Sequence, residues 1–405
     1  MKPQAILHLD LDTFFVSVER LLDSQLQHKP ILVGGLGDRG VVAACSYETR
    51  SYGIHSGMSM QVARKLCPQA IVIKGNASTY TQYSHLVTEI IRAEVPAFEK
   101  ASVDEFYVDL TGMDRFFGTQ QFAFDLRKKI IAESGLPISV GLSQNKVVSK
   151  IATGEAKPNN ERYIPQGTEK HFLAPLSTRK IPMVGQKTYT KLVQMGIQRI
   201  QTLQEMPLAV IEQVLGKNGK TIWLRAQGID NSPIIPYHER KSISMERTFN
   251  RDTIDVVRLK NSLQAMAESL AYQLRNAQKL TSIVTVKIRY SDYQTQSKQT
   301  RIAYTSADHL LVPQALALFD QLYQRRVLIR LIGLKFSGLV GGHHQIDLFD
   351  DSQKLIDLYQ SIDKIKNRFG ERSILKASTL DSKSIGGMGN PFNGEPPMVL
   401  AHRKQ

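Results

Sequence analysis

Cysteine is scarce in this sequence: its 405 residues include only Cys45 and Cys67. Two thiols cannot build a disulfide framework, and no Cys/His spacing suggests zinc, so the chain reads as a cytosolic protein of a reducing compartment. Long apolar runs are also missing. The one near the N-terminus, Ala5 to Leu11, is broken by His8 and Asp10. It is too short for a secretory signal core and far too short to span a bilayer. No Gly-rich nucleotide fingerprint, internal repeat or extended low-complexity tract is found. Acidic charge is in deficit. Lys and Arg outnumber Asp and Glu by 52 to 37, giving +15 at pH 7 and a pI near 9.6. That surplus suits a polyanion such as nucleic acid better than a membrane surface.

What is present is an ordinary globular composition, 42% hydrophobic and 22% charged, in a chain long enough for about two to four domains. An apolar strand at 5–9 ends in acids at 10 and 12, and a helix at 14–22 places Phe15, Val18 and Leu22 on one face. Strands are expected at 31–33, 41–45 and 98–110, then a helix at 119–133 and a strand at 137–142. Alternation of this kind without a dinucleotide motif favours an α+β palm-like sheet. Residues 170–230 read as helical, and 231–243 as a Pro-containing charged connector. Beyond it the pattern predicts helices at 255–278 and 312–324 and strands at 282–291, 298–305 and 327–336. Gly338 to Gly342 closes that module, and a helix at 352–369 carries Leu355, Leu358, Ile362, Ile365 and Phe369. The last 35 or so residues read as loosely attached.

Three acids, Asp10, Asp104 and Glu105, sit where apolar neighbours would bury them. A buried carboxylate needs compensation, and divalent metals supply it to hard oxygen donors. A pair of Mg²⁺ ions held by such acids supports in-line phosphoryl displacement. Exposed strand-end acids, or a two-metal nuclease, would fit the same three residues.

The surrounding text resembles one family. His8-Leu-Asp-Leu-Asp-Thr-Phe-Phe15 and Ser102-Val-Asp-Glu-Phe-Tyr-Val-Asp109 are similar to the two acidic motifs of Y-family (translesion) DNA polymerases. Ala44 to Met58 is similar to that family's fingers motif, and Val140 to Ala152 with Ala156-Lys-Pro158 to its closing palm motif. The resemblance implies a multidomain α+β right hand: palm at 1–12 and 76–166, small fingers at 13–75, a thumb with a helix–hairpin–helix at 167–231, a linker at 232–243 and an α/β little finger at 244–341. It also implies template-directed, low-fidelity DNA synthesis from dNTPs, without a proofreading exonuclease, on primer–template DNA. Asp10, Asp104 and Glu105 become ligands of two Mg²⁺ ions, with Leu11 adding its carbonyl, whereas Asp12 matches an acid that is not a direct ligand. Tyr47, Arg50 and Lys157 match triphosphate contacts. Phe15 matches the steric gate against a 2′-hydroxyl, and Phe14 has either a core or a sugar-proximal role.

The DNA grip is expected in two places. Ile181 to Thr188 looks like a helix–hairpin–helix in which Gly185 permits close approach to a phosphate and Lys187 adds charge. Residues 241–341 hold 15 Lys and Arg against 7 Asp and Glu. There Lys287 and Arg289 alternate with apolar residues, and Arg326 and Arg330 share a strand face. Past this module, Gln345, Ile346, Asp347, Leu348 and Phe349 look like a sliding-clamp binding peptide, within a tail spanning 342–405. The chain is expected to act as a monomer with no membrane partner. A non-catalytic scaffold with the same fold is the remaining alternative, against which the intact acids argue.

Overall fold

Strand β1 (Ile6–Leu11) alternates strictly: Leu7, Leu9 and Leu11 enter a hydrophobic core, and His8 and Asp10 face the other way. The computed structural model describes residues 4–37, 39–113, 118–342 and 353–380. The chain divides into two units between His238 and Glu239. In the first, β1 leads into α1 (Phe14–Leu22), then β2 (Ile31–Gly34), β3 (Val42–Cys45), α2 (Tyr47–Arg50), α3 (Met60–Leu66) and β4 (Ile71–Ile73). Next come α4 (Ala77–Glu94), β5 (Phe98–Lys100), β6 (Glu105–Asp109), α5 (Thr119–Ser134), β7 (Ile138–Ser143), α6 (Lys146–Ala156) and β8 (Glu161–Tyr163).

Five of these strands form one sheet in the order β5-β6-β1-β7-β8, with β1 central and antiparallel to both neighbours. A smaller sheet, β3-β2-β4, carries its own core of Leu32, Val42, Cys45, Ile54, Met60, Ala63 and Cys67. Helix α6 lies against β1 and β7 through small groups. The Ser149 hydroxyl donates to the Ile6 carbonyl at 2.6 Å, and Thr153 Oγ1 donates to the His8 carbonyl at 3.1 Å. A Cβ added to Gly141 would lie 2.3 Å from the Ser149 carbonyl oxygen and 2.5 Å from the Thr153 nitrogen. Only glycine allows that approach. The rest of this unit is helical: α7 (Glu169–Leu173), α8 (Gln186–Gln194), α9 (Ile200–Glu205), α10 (Leu208–Leu215) and α11 (Lys217–Ala226). Their core includes Leu173, Leu192, Leu203, Ile211 and Ile222, together with Val148 and Ile151 of α6.

The second unit comprises β9 (Ser242–Thr253), α12 (Val256–Asn276), β10 (Lys279–Tyr290), β11 (Thr295–Thr305), α13 (Asp308–Leu322), β12 (Ile329–Ser337), β13 (Val340–Gly341) and α14 (Gln353–Phe369). Its sheet runs β11-β10-β12-β9, with β13 also paired to β10, and buries one face under α12 and α13. Arg275 of α12 ties α14 down, donating to Asp363 at 2.6 and 3.0 Å and to Asp308 at 2.7 Å.

Several sequence expectations need correction. The segment 98–110 is not one strand: β5 and β6 form a hairpin whose turn contains Asp104, with Ala101 N–H and Ser102 N–H both donating to the Glu105 carbonyl. On α1 the buried face holds Phe14 and Val18, and Leu22 is exposed. Helices α3 and α4 and strand β9 were not anticipated. In β9 the apolar residues Ile243, Met245 and Phe249 alternate with polar ones, a period that the preceding Pro-rich connector obscures. Helix α13 starts before the expected 312 because Pro313 is accommodated inside it. Helix α14 docks by Tyr359, Asp363 and Lys366 and leaves Leu355, Leu358, Ile365 and Phe369 exposed, so ion pairs set its orientation. Part of the expected loose tail is packed: Thr379 is buried, and Lys376 meets Glu268 of α12 at 3.0 Å. Residues 381–405 lie outside the described residues, as do Gln345 to Phe349.

Gly141→Ala should cost about 1–3 kcal/mol by overpacking, a fall in Tm of roughly 2–10 °C. Gly154→Ala, in the same helix neighbourhood but facing open space, should instead gain about 0.5–1 kcal/mol. Thermal unfolding of the two variants checks both signs.

Candidate active site

The register of the central strands assembles the acids. Asp10 stands directly opposite Glu105, and the Leu11 N–H donates to the Asp104 carbonyl at 3.0 Å. Residues far apart in sequence thereby share one end of the β1–β6 pair. Opposite them, α6 presents lysines on a single face. Lys146 donates to both carboxylate oxygens of Glu99 at 2.8 Å, Lys150 donates to Glu105, and Lys157, just past the helix end, donates to Asp10. Positions four and then seven apart return to the same side of a helix, which is why one element can serve three acids.

Burial shapes the charge states. It pushes the Asp10 carboxyl up to about 7, against the pull of the Lys157 ammonium and with Glu105 and Asp104 adding to the rise. Burial likewise raises Asp104, although the Ser102 hydroxyl donates to it at 2.5 Å. For Glu105 burial would do the same, yet the Lys150 ammonium that donates to it holds it below the usual carboxylate range. His8 is fully buried and its pKa is lowered to about 4, so the ring is neutral near pH 7. Its Nδ1 meets Thr153 Oγ1 at 2.9 Å, and its Nε2, 3.8 Å from Glu105, has no hydrogen-bond partner among the described residues.

Asp10, Asp12, Asp104 and Glu105 thus surround two ammonium groups, Lys150 and Lys157, an excess of negative charge built from hard oxygen donors. That chemistry fits a divalent cation. Among the described residues, however, no three or more His, Cys, Asp or Glu side chains are drawn together into a finished metal cage. Each carboxylate turns to its nearest donor instead: Asp10 to Lys157, Glu105 to Lys150, Asp104 to Ser102. The acids share a place on the backbone, and their side chains are held apart by protein cations and a hydroxyl.

Around this cluster lie the residues expected to meet a nucleotide. Tyr47 and Arg50 belong to α2, whose N-cap Ser46 accepts from the Thr49 N–H, and the Arg50 guanidinium lies 4.9 Å from the Tyr47 ring centre. The Tyr47 hydroxyl donates to Asp12 at 3.1 Å, and burial together with the Asp12 charge raises its pKa and keeps it a phenol. Phe15 is half-buried and stacks on Tyr80, with ring centres 4.2 Å apart. Phe14 is only 3% exposed and belongs to the hydrophobic core, the first of the two roles expected for it. Sequence reasoning missed Lys150 and Tyr80 and set Asp12 aside. The helical spacing of Lys146, Lys150 and Lys157 was a usable signal. Tyr80 offered none.

Three family models match the chain: the impB/mucB/samB family over residues 9–154, the C-terminal domain of that family over 240–348, and the thumb domain of DNA polymerase-iota over 179–230. A DNA polymerase IV of Dehalococcoides mccartyi is 37% identical over 389 residues, covering 95% of this chain and all of the relative. The chain belongs to the Y-family of DNA polymerases. Solved structures agree in fold. A Y-family DNA polymerase chimera of Dbh and Dpo4 matches with a TM-score of 0.74 at 24% identity, and an insertion ternary complex of Dbh DNA polymerase with 0.62 at 23%. Each covers 84% of this chain and the whole of that structure. The architecture is that of palm, fingers, thumb with helix–hairpin–helix, and little finger.

In the thumb of this Y-family polymerase, Gly185 is the N-cap of α8, has no side-chain cap and faces open space, so the first N–H groups of the helix point outward. Lys187 is exposed in the first turn. In the little finger, Val284, Val286, Ile288 and Tyr290 are buried while Lys287 and Arg289 lie on the opposite face of β10, as the alternation predicts. Lys287 meets Glu246 at 2.8 Å, and Arg289 donates to Thr295 at 2.8 Å. Arg326 and Arg330 do not share a strand face. β12 begins only at Ile329, which leaves Arg326 in the preceding turn, and Arg330 falls at a register irregularity with its guanidinium 4.7 Å from the Tyr293 ring centre. Among the described residues no helix is long and apolar enough to cross a membrane.

Proposed function

We propose that this DNA-directed DNA polymerase adds dNTPs to a primer 3′ end at the site formed by Asp10, Asp104 and Glu105, performing low-fidelity translesion synthesis without proofreading. The observation that carries the reading is the register pairing of Asp10 with Glu105 beside the Leu11–Asp104 backbone bond. Membership in the family brings dependence on a divalent metal. Asp10, Asp104 and Glu105, with the Leu11 carbonyl, would hold two Mg²⁺ ions, whose bound charge polarises phosphoryl oxygens. Lys157, Tyr47 and Arg50 contact the triphosphate: an ammonium beside the acids, a phenol and a forked guanidinium match phosphate oxygens. Phe15, braced on Tyr80, forms the gate beneath the sugar.

The palm takes 1–12 and 76–166, the fingers 13–75, the thumb 167–231 and the little finger 244–341, joined by 232–243. Gly185, Lys187, Lys287 and Arg289 grip the primer–template backbone, with Arg326 and Arg330 adding charge from the turn and from the start of β12. Such contacts are independent of sequence and sensitive to salt. Gln345 to Phe349, in the 342–405 tail, binds a sliding clamp and raises the effective concentration at primer ends. The enzyme works as a cytoplasmic monomer, a setting consistent with its two free thiols.

Asp104→Asn should reduce primer extension on the order of 10²–10³-fold or more with DNA affinity largely retained, which gel-based extension and fluorescence anisotropy measure together. Extension near the wild-type rate would remove the catalytic assignment. Phe15→Ala should relax discrimination against ribonucleotides by about tenfold to a hundredfold, the equivalent of roughly 1–3 kcal/mol of lost steric overlap. Single-nucleotide insertion kinetics with dNTP and rNTP give the ratio. Deleting 345–349 should spare unaided extension and abolish stimulation by added clamp. Undiminished stimulation rules the peptide out.

A further inference from the structure

Asp12 is 1% exposed and sits one residue beyond β1, where its carboxylate collects contacts from three separate pieces of the chain. Oδ1 accepts from the Tyr47 hydroxyl at 3.1 Å, and Oδ2 accepts from the Ser139 hydroxyl of β7 at 2.7 Å and from the Asn159 N–H at 2.7 Å. The Lys157 ammonium lies 3.7 Å from Oδ1. The backbone of Asp12 is fixed as well: its N–H donates to the Pro137 carbonyl at 2.9 Å, and its carbonyl accepts from Ser17 at 2.7 Å. A group held this firmly orients whatever hydrogen-bonds to it.

We infer that Asp12 is a positioning residue for the incoming nucleotide, the single buried carboxylate that holds Tyr47 of α2 and the 157–159 turn in place. This rests on the reading of Tyr47 and Lys157 as triphosphate contacts. The two reach the site from different elements, α2 and the segment past α6, and no other described side chain bonds to both pieces. Asn159 follows Pro158 with a φ of +46°, a conformation that its N–H bond to Asp12 helps to hold. Asp12 itself is closed off from solvent, so it acts on the nucleotide only through what it orients.

An amide at this position keeps the shape, yet its nitrogen cannot accept from Ser139 and Asn159 as the carboxylate oxygen does. In the full-length chain, Asp12→Asn should raise KM for dNTP tenfold or more while kcat changes less than about threefold. Tyr47→Phe should also raise KM, and the Asp12→Asn/Tyr47→Phe double variant should be no worse than the more impaired single variant, well short of the product of the two effects, since the two act through one bond. Ser139→Ala, which removes one contact and keeps the charge, should raise KM by about threefold with Tm near wild type, and it carries the test if Asp12→Asn does not fold. A fall in Tm with unaltered KM for Asp12→Asn or Ser139→Ala overturns the inference by making the contact structural only. If Tyr47→Phe and Lys157→Ala both leave KM unchanged, the triphosphate reading fails first and the inference falls with it. If they raise KM and Asp12→Asn does not, the inference alone fails.

Discussion

The close seating of α6 on the central strands is the constraint from which the site follows. Gly141 lets the helix backbone approach β7, and the Ser149 and Thr153 hydroxyls anchor it to β1. At that distance Lys146, Lys150 and Lys157 arrive opposite Glu99, Glu105 and Asp10 in one step. A set of carboxylates partly removed from water would otherwise repel one another and favour protonation. The helix therefore does two things at once: it closes one face of the palm and supplies the counter-charge that lets acids stand at the end of a buried strand.

The three lysines differ in what they leave free. The Lys146–Glu99 pair is also met by the connector, since the Ile235 N–H donates to Glu99 at 2.8 Å and Lys146 reaches the Pro233 carbonyl at 3.5 Å. That pair is architectural. Lys150 pairs with Glu105, and Lys157 pairs with Asp10 and lies 3.7 Å from Asp12, so two ammonium groups stand among four acids and the local charge stays negative with both in place.

The acids were legible in the sequence because a carboxylate interrupting an apolar strand is anomalous wherever it occurs, and Asp10, Asp104 and Glu105 all did so. Their pairing was not, since it depends on antiparallel register between segments almost a hundred residues apart. Asp104 proved to lie in a hairpin turn rather than in a strand, because alternation alone cannot separate one long strand from two short ones joined tightly. Lys287 and Arg289 followed from period-two patterning. Arg330 did not, because the register irregularity near Ile329 breaks the period there. Asp12 looked like a spectator, and its three partners, Tyr47, Ser139 and Asn159, come from a helix, a strand and a connecting segment that only folding brings together. Phe14 and Phe15 could not be told apart by helical spacing, since which of two adjacent rings is core depends on what packs over the helix.

The two thiols have a use of another kind. Cys45 and Cys67 are both completely buried in the small core beneath the β3-β2-β4 sheet, and the thumb and little finger contain no cysteine at all. An alkylating reagent can reach either sulfur only when that core opens, so the labelling rate is a clock for local breathing of this one subdomain. The protein carries an intrinsic, site-restricted probe of its smallest sheet without any engineering.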